Sequence, residues 1–271
     1  MNRFLEERIK LAQELADVSG KVIRRYFRQG QIKSATKEGF VSAIVTVADQ
    51  EAEDAMVALI RKKAPEDGII REEGENVPSR NGHTWVLDPI DGTSSFVRGL
   101  PIFGTLIGFV REKDGATLLG VMNQPILKER WLGVRGKKTT LNGKPVKNPY
   151  ATKKIALADV CLASTTPFMF ITERQQRVAQ KLQQACKRKA FGGDCYNYAA
   201  IASGWTSMPM IVLESDMAYY DFCPLIPIVQ GAGGLITDWQ GHPLTKDSRE
   251  VLATPSKGVH GEVLKIIANV G

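Results

Sequence analysis

The chain has 271 residues, 43% of them hydrophobic and 24% charged, with a formal net charge of +7 and a pI of about 9.2. These values describe a globular protein able to bury a sizeable core, either as one large α/β domain or as two halves packed together. They exclude several other classes. The opening residues Met-Asn-Arg-Phe-Leu-Glu-Glu-Arg are too charged for a secretory leader, and the longest apolar runs, such as Phe103 to Val110, are too short to span a bilayer. Lys and Arg are scattered. Their short clusters, Lys187-Arg188-Lys189 and Arg135 with Lys137 and Lys138, are not interleaved with aromatics as a nucleic-acid surface would be. The basic balance therefore reads as solvated surface. The four cysteines, Cys161, Cys186, Cys195 and Cys223, show no CxxC spacing and read as reduced thiols of a cytoplasmic protein.

In chain order, residues 2–28 carry apolar side chains at Leu5, Ile9, Ala12, Leu15, Val22, Ile23 and Tyr26, the spacing of a helix, with Gly30 just past its end. The apolar run Val41 to Val47 follows. Asp49 to Lys63 reads as a second amphipathic helix stopped by Pro65. Ile69-Ile70 is a short strand leading into Glu72-Glu73, and His83 to Leu87 is another. Phe103 to Val110, Thr117 to Met122 and Arg130 to Val134 form an antiparallel meander, with turns at Lys113-Asp114-Gly115 and Asn142-Gly143. The second half alternates. Strands are expected at Leu157–Leu162, Met210–Leu213, Leu235–Thr237 and Val251–Ala253. Helices are expected at Glu173–Lys187, Cys195–Ala202, Pro224–Ala232 and Glu262–Ala268. Such alternation predicts an α/β fold of helices on a mixed sheet.

The stretch Trp85-Val86-Leu87-Asp88-Pro89-Ile90-Asp91-Gly92-Thr93 carries the chemistry. A buried strand ends in a stiff acidic turn, because Pro89 fixes its own φ and restricts Asp88. Asp88, Asp91 and the carbonyl of Ile90 offer three oxygen ligands to a hard divalent cation. Gly92 and Thr93 offer backbone N–H groups, at the start of a short helix, that suit a phosphate. An ordinary surface turn is the plainer alternative, and the apolar run before the acids argues against it. Glu72, Asp49, Asp221 and Glu214 share the setting of an acid at the edge of a buried element. They are either part of a metal cluster or unrelated helix caps: Asp221 capping the helix near Pro224, Asp49 a first-turn acid. The three histidines, His83, His242 and His260, show no zinc-like pairing. Tyr219, Tyr220 and Trp205 read as packing residues.

With Asp88-Pro89-Ile90-Asp91-Gly92-Thr93, the pair Glu72-Glu73, the element Val45-Thr46-Val47-Ala48-Asp49 and Tyr220-Asp221-Phe222 followed by Gly231-Ala232-Gly233-Gly234, the chain resembles the inositol monophosphatase family over nearly its whole length. Within that family it is most similar to the histidinol-phosphate phosphatase branch, through Gly192-Gly193-Asp194-Cys195-Tyr196, Asn123-Gln124-Pro125-Ile126-Leu127 and the Tyr before Asp221. The resemblance implies a layered αβαβα sandwich of the inositol monophosphatase and fructose-1,6-bisphosphatase type. It divides one compact unit into an N-terminal α+β half (1–145) with the metal motifs and a C-terminal α/β half (146–271) with the last metal aspartate and the specificity residues, joined near residues 142–154.

The resemblance further implies two or three Mg²⁺ ions and a homodimer acting on a small phosphorylated metabolite. Asp88, Glu72 and the Ile90 carbonyl would serve one ion, and Asp88, Asp91 and Asp221 another; Glu73 stays behind these ligands, beside a third, weaker ion. Asp49 with the Thr93 hydroxyl would act as general base, Glu72 sharing in the catalytic set. The N–H groups of Gly92 and Thr93 would hold the phosphate. Asp194 and Glu214 would meet the organic part of the substrate, and two acids there suit the amine and imidazole of histidinol phosphate better than the hydroxyls of an inositol; a helix N-cap is the plainer reading of Asp194. An inositol-1-monophosphatase, a broad small-molecule phosphatase, an inactive phosphate-binding scaffold and an RNA binder are the competing readings. The intact acid set speaks against the last two. Three departures from the family pattern stand out. The segment Lys37–Thr46 is about two residues longer and lacks Ser-Pro, Arg71 replaces a glycine, and Pro224 replaces a small residue.

Overall fold

A computed structural model describes residues 3–30, 34–36, 44–205 and 207–270. Helix α1 (Arg3–Tyr26) buries Ala12, Leu15, Val22 and Ile23 of the expected stripe, together with Leu11 and Ala16, while Leu5, Ile9 and Tyr26 at its ends are half-buried. Strands β1 (Ser34–Thr36) and β2 (Ile44–Thr46) pair antiparallel. Most of the lengthened 37–46 segment, and the first residues of the apolar run 41–47, lie outside the described residues. Helix α2 (Val47–Lys63) starts two residues earlier than its apolar face suggests. Thr46 caps it, its hydroxyl accepting the Ala48 N–H while Asp49 returns a bond to the Thr46 N–H.

Next come β3 (Gly68–Arg71), β4 (His83–Asp91), the short helix α3 (Thr93–Val97), β5 (Gly104–Arg111), β6 (Ala116–Gln124), β7 (Glu129–Val134), β8 (Thr140–Leu141) and β9 (Lys144–Pro145). They form a seven-stranded sheet in that order, with β3 parallel to β4 and the remaining pairs antiparallel. Asn142 and Gly143, both at positive φ, make the β8–β9 turn.

The second sheet is built from β10 (Cys161–Ser164), β11 (Arg188–Phe191), β12 (Met210–Glu214), β13 (Leu235–Thr237) and β14 (Val251–Thr254), in the order β11-β10-β12-β14-β13. Its helices are α4 (Glu173–Ala185), α5 (Cys195–Ser203), α6 (Tyr219–Phe222), α7 (Leu225–Gly231) and α8 (Lys257–Ala268).

Other elements also differ from expectation. Residues 157–159 are a single 3-10 turn, and the strand begins only at Cys161; a short apolar run does not itself distinguish the two. Strand β11 is an edge strand whose Arg188 and Lys189 hide it from a hydrophobicity reading. Helix α8 begins at Lys257, five residues early, because the Ser256 hydroxyl caps the Val259 N–H and outweighs Gly258 and Gly261.

Helices α1 and α2 pack together and on one face of the first sheet, through Leu15, Met56 and Ile60 against Trp85, Leu87, Ile107 and Phe109. Helices α5 and α7 fill the space between the two sheets, and α8, paired with α4, covers the far side of the second. The result is the five-layer αβαβα sandwich. The middle contact is close: a Cβ on Gly120 of β6 would stand 1.8 Å from the carbonyl oxygen of Pro224, and one on Gly133 of β7 2.4 Å from the Ile228 nitrogen. His260 of α8 is buried and ties β13 to β14, its ring nitrogens each 3.0 Å from the hydroxyls of Thr237 and Thr254. The Thr237 hydroxyl also donates to the Asp238 carbonyl at 2.7 Å, and the Thr254 hydroxyl to the Ser256 carbonyl at 3.3 Å. Among the described residues no helix is long and apolar enough to cross a membrane.

Candidate active site

Strand β4 sets the geometry. Trp85 and Leu87 point toward α1 and α2, whereas Val86 joins Cys223 on the other face. Period-two alternation therefore puts Asp88 on the face that looks toward α6. Continued regularly, the strand would turn Asp91 to the opposite face. A register shift intervenes: Asp88 pairs with Leu106 but Asp91 with Gly104, so three steps on β4 match two on β5. This bulge brings Asp91 back beside Asp88. Carboxylate oxygens of Asp88, Asp91 and Asp221 lie within 4.8 Å of one another.

The remaining parts arrive from separate elements. Glu72 leaves the end of β3 and lies against Asp88. Asp221 sits in the first turn of α6, where its carboxylate accepts the Ala218 N–H at 2.7 Å; its cap role belongs to α6 itself, not to the helix after Pro224. Ile90 buries its side chain among Ala48, Ala52, Phe96 and Phe103, and its carbonyl accepts the Thr93 hydroxyl at 2.9 Å. Gly92 is left-handed (φ 90°), and a Cβ there would stand 3.1 Å from the Asp194 carboxylate. The Cys195 N–H at the start of α5 donates to Asp91 at 2.6 Å.

Buried Asp49 has two roles in one side chain. One oxygen accepts from Thr46, and the other lies 3.3 Å from the Thr93 hydroxyl. At the far end of the cleft, Glu214 is buried at the end of β12 and accepts the Thr165 N–H (3.1 Å), the Thr165 hydroxyl (2.6 Å) and the Tyr198 hydroxyl (2.6 Å). Asp194 occupies the N-cap position of α5 without capping it. Its backbone (φ 43°) turns the side chain to the cleft instead. The cleft has a volume of about 200 Å³ and is lined by Glu72, Asp88, Asp91, Asp194, Glu214 and Asp221, among others. Glu73 is not in its lining. A larger cavity of about 660 Å³, beside Tyr219, Ile226 and Leu244, holds none of these acids, so chemistry and not size marks the site.

Electrostatics follow from crowding. Burial, and then Glu72, Asp91 and Asp221, hold the Asp88 carboxyl well above its usual range. Burial, then Asp194 and Asp221, raise Asp91 against the opposing bond from Cys195. Asp194 is pushed up to about 7 by burial and Glu214, and Asp49 up to about 6, chiefly by burial. Such a set resists sharing one cleft as anions unless a cation joins it. Oδ1 of Asp88 is buried and accepts no hydrogen bond from any described residue. An orphaned carboxylate oxygen amid hard oxygen donors fits a divalent cation of the Mg²⁺ kind.

Three residues with parts in this arrangement were not singled out in the sequence: Glu53, Thr165 and Tyr198. Glu53 alone left a trace there, as an acid one helical turn after Asp49 on the buried face of α2.

Comparison with known proteins gives the family. The chain is 42% identical over 229 residues to the chloroplastic bifunctional phosphatase IMPL2 of Arabidopsis thaliana, covering 84% of this chain and 63% of that protein's length. It is 32% identical over 261 residues to a histidinol-phosphatase of Chlorobaculum parvum, covering 96% of each. An inositol monophosphatase structure from Zymomonas mobilis superposes with a TM-score of 0.85 at 38% identity, covering 99% of this chain and 100% of that one. The model of the inositol monophosphatase family matches residues 5–271, and this chain belongs to that family of phosphatases.

Proposed function

We propose that the protein hydrolyses L-histidinol phosphate to histidinol and phosphate with Mg²⁺ in its acidic cleft. The observation that carries this reading is the two-ended cleft: the carboxylates of Glu72, Asp88, Asp91 and Asp221, with an orphaned Asp88 oxygen, at one end and the acids Asp194 and Glu214 at the other. Glu72, Asp88, Asp91, Asp221 and the Ile90 carbonyl would hold two or three Mg²⁺ ions. Mg²⁺ supplies the positive charge that stabilises the attacking and leaving oxygens of an in-line displacement.

The protein's own residues do the rest. Asp49, held by Thr46 and beside the Thr93 hydroxyl, takes the proton of the attacking water. The backbone N–H groups of Gly92 and Thr93 orient the phosphate oxygens. Asp194 and Glu214 receive the cationic groups of the organic part by charge-assisted hydrogen bonds. The family membership and the 32%-identical histidinol-phosphatase support this choice. The chain acts as a homodimer in this reading, supported by exposed apolar side chains at Phe168, Ile171 and Phe191, near the cleft residues Thr166 and Met169.

The test is a phosphatase panel with and without Mg²⁺. Histidinol phosphate is expected to turn over faster than inositol 1-phosphate, with activity abolished by EDTA and in Asp88→Asn, while the circular dichroism of that variant stays native. Equal or faster hydrolysis of the inositol ester rejects the substrate assignment. Near-normal activity of Asp88→Asn rejects the site.

A further inference from the structure

The turn that delivers Glu72 is held from behind by a carboxylate with no exposed surface. Glu53 lies on α2, one turn after Asp49. Its Oε1 accepts two consecutive backbone N–H groups, Glu72 at 2.9 Å and Glu73 at 3.0 Å. Its Oε2 accepts Arg71 Nε at 2.8 Å, and the guanidinium continues to Asp54 at 2.7 Å. The Arg71 N–H is itself taken by Asn76 at 2.9 Å. Two successive N–H groups aimed at one oxygen fix both peptide planes. A buried carboxylate is costly unless it is paired and fully hydrogen-bonded, and Arg71 supplies the pairing.

Neither Glu53 nor Arg71 lines the cleft, so neither meets substrate. What they hold is the peptide from which Glu72 projects to Asp88. We infer that Glu53, clamped by Arg71, is a positioning residue that aims Glu72 into the metal cluster. The inference rests on the metal-site reading above. The guanidinium also packs over Gly74, where an added Cβ would stand 2.5 Å from its central carbon, so the turn closes around Arg71 on both sides.

Glu53→Gln tests it. An amide can turn its oxygen to the two N–H groups or to Arg71, not to both, and its NH₂ then opposes another donor. Isothermal titration of the substrate-free protein with Mg²⁺ is expected to show weakening of about 10–100-fold, the range for loss of a partner behind a metal ligand. At saturating Mg²⁺, kcat should stay within roughly threefold of wild type and the substrate KM should hold, because no transition-state contact is lost. The double variant Glu53→Gln with Arg71→Gly removes the opposed donor and should recover most of the affinity.

A folded Glu53→Gln protein with wild-type Mg²⁺ affinity overturns the inference, as does a large loss of kcat with that affinity intact. Should Glu53→Gln fail to fold, Arg71→Met carries the same titration, and unchanged affinity there is equally fatal. Absence of Mg²⁺ binding in the wild type overturns the metal site itself, and the clamp with it; wild-type binding that Glu53→Gln leaves untouched overturns the clamp alone.

Discussion

Asp194 shows how one residue can leave a structural role unused. At an N-cap position its ordinary use is to accept an N–H of the helix's first turn, yet it makes no such bond, and its backbone holds the side chain in the cleft beside Glu214. Asn tolerates positive φ nearly as well as Asp, so Asp194→Asn isolates the charge. If the acid meets the ammonium of histidinol phosphate, KM for that substrate should rise about tenfold, the worth of one charge-assisted bond. KM for inositol 1-phosphate should change far less. Equal effects on both substrates would show that Asp194 serves the fold or the metal cluster and not selectivity. At this scale the sequence was most informative for Asp88 and Asp91, which follow the apolar run Trp85-Val86-Leu87. It was silent on Thr165 and Tyr198, since a hydroxyl that satisfies a buried carboxylate from another element has no local pattern.

The bulge in β4 is the element on which the acidic cluster depends, and it was not legible in advance. Alternation alone sends Asp88 and Asp91 to opposite faces; only the pairing with β5 reveals the extra residue. The meander β5–β7 was legible from its alternation and turn residues, whereas β11 was hidden by its surface charges. Helix packing offers a sharper test. Gly258 of α8 has open space where a Cβ would go, so Gly258→Ala should raise stability by about 0.5 kcal/mol through helix propensity. Gly120→Ala should do the reverse and cost about 3 kcal/mol or more, because the new methyl meets the Pro224 carbonyl and the main chain must move. Urea denaturation of both variants checks the pair. Near-neutral behaviour of Gly120→Ala would mean that the contact between β6 and α7 is loose.

Across the whole molecule, the order of layers was readable from the resemblance, but the closeness of the two sheets' shared helices was not, since it depends on glycines that leave no signal of their own. Stability should carry a signature of His260, which joins β13, β14 and α8. Burial lowers its pKa from 6.5 to about 4. The unfolded chain therefore takes up a proton below about 6.5 that the folded protein refuses until about 4, so this residue withdraws stability as pH falls through that window and contributes no slope above it. The raised carboxyls of Asp88 and Asp91 act in the opposite sense in metal-free protein, so the readout is the difference between wild type and His260→Gln. The wild type should lose more stability between pH 7 and 5 than the variant does. Parallel curves would place the ring in contact with water. Light scattering addresses assembly: a dimer that Phe168→Asp with Ile171→Asp splits is expected, and a wild-type monomer would exclude it. The bare α-carbons of Gly120 and Gly133 have a last consequence. Where main chain rests directly on main chain, no rotamer is available to absorb a neighbour's change. Asp221, carried on the segment pressed against β6, is thereby insulated from drift elsewhere, whereas Asp91 stays tied to the start of α5 through the Cys195 N–H.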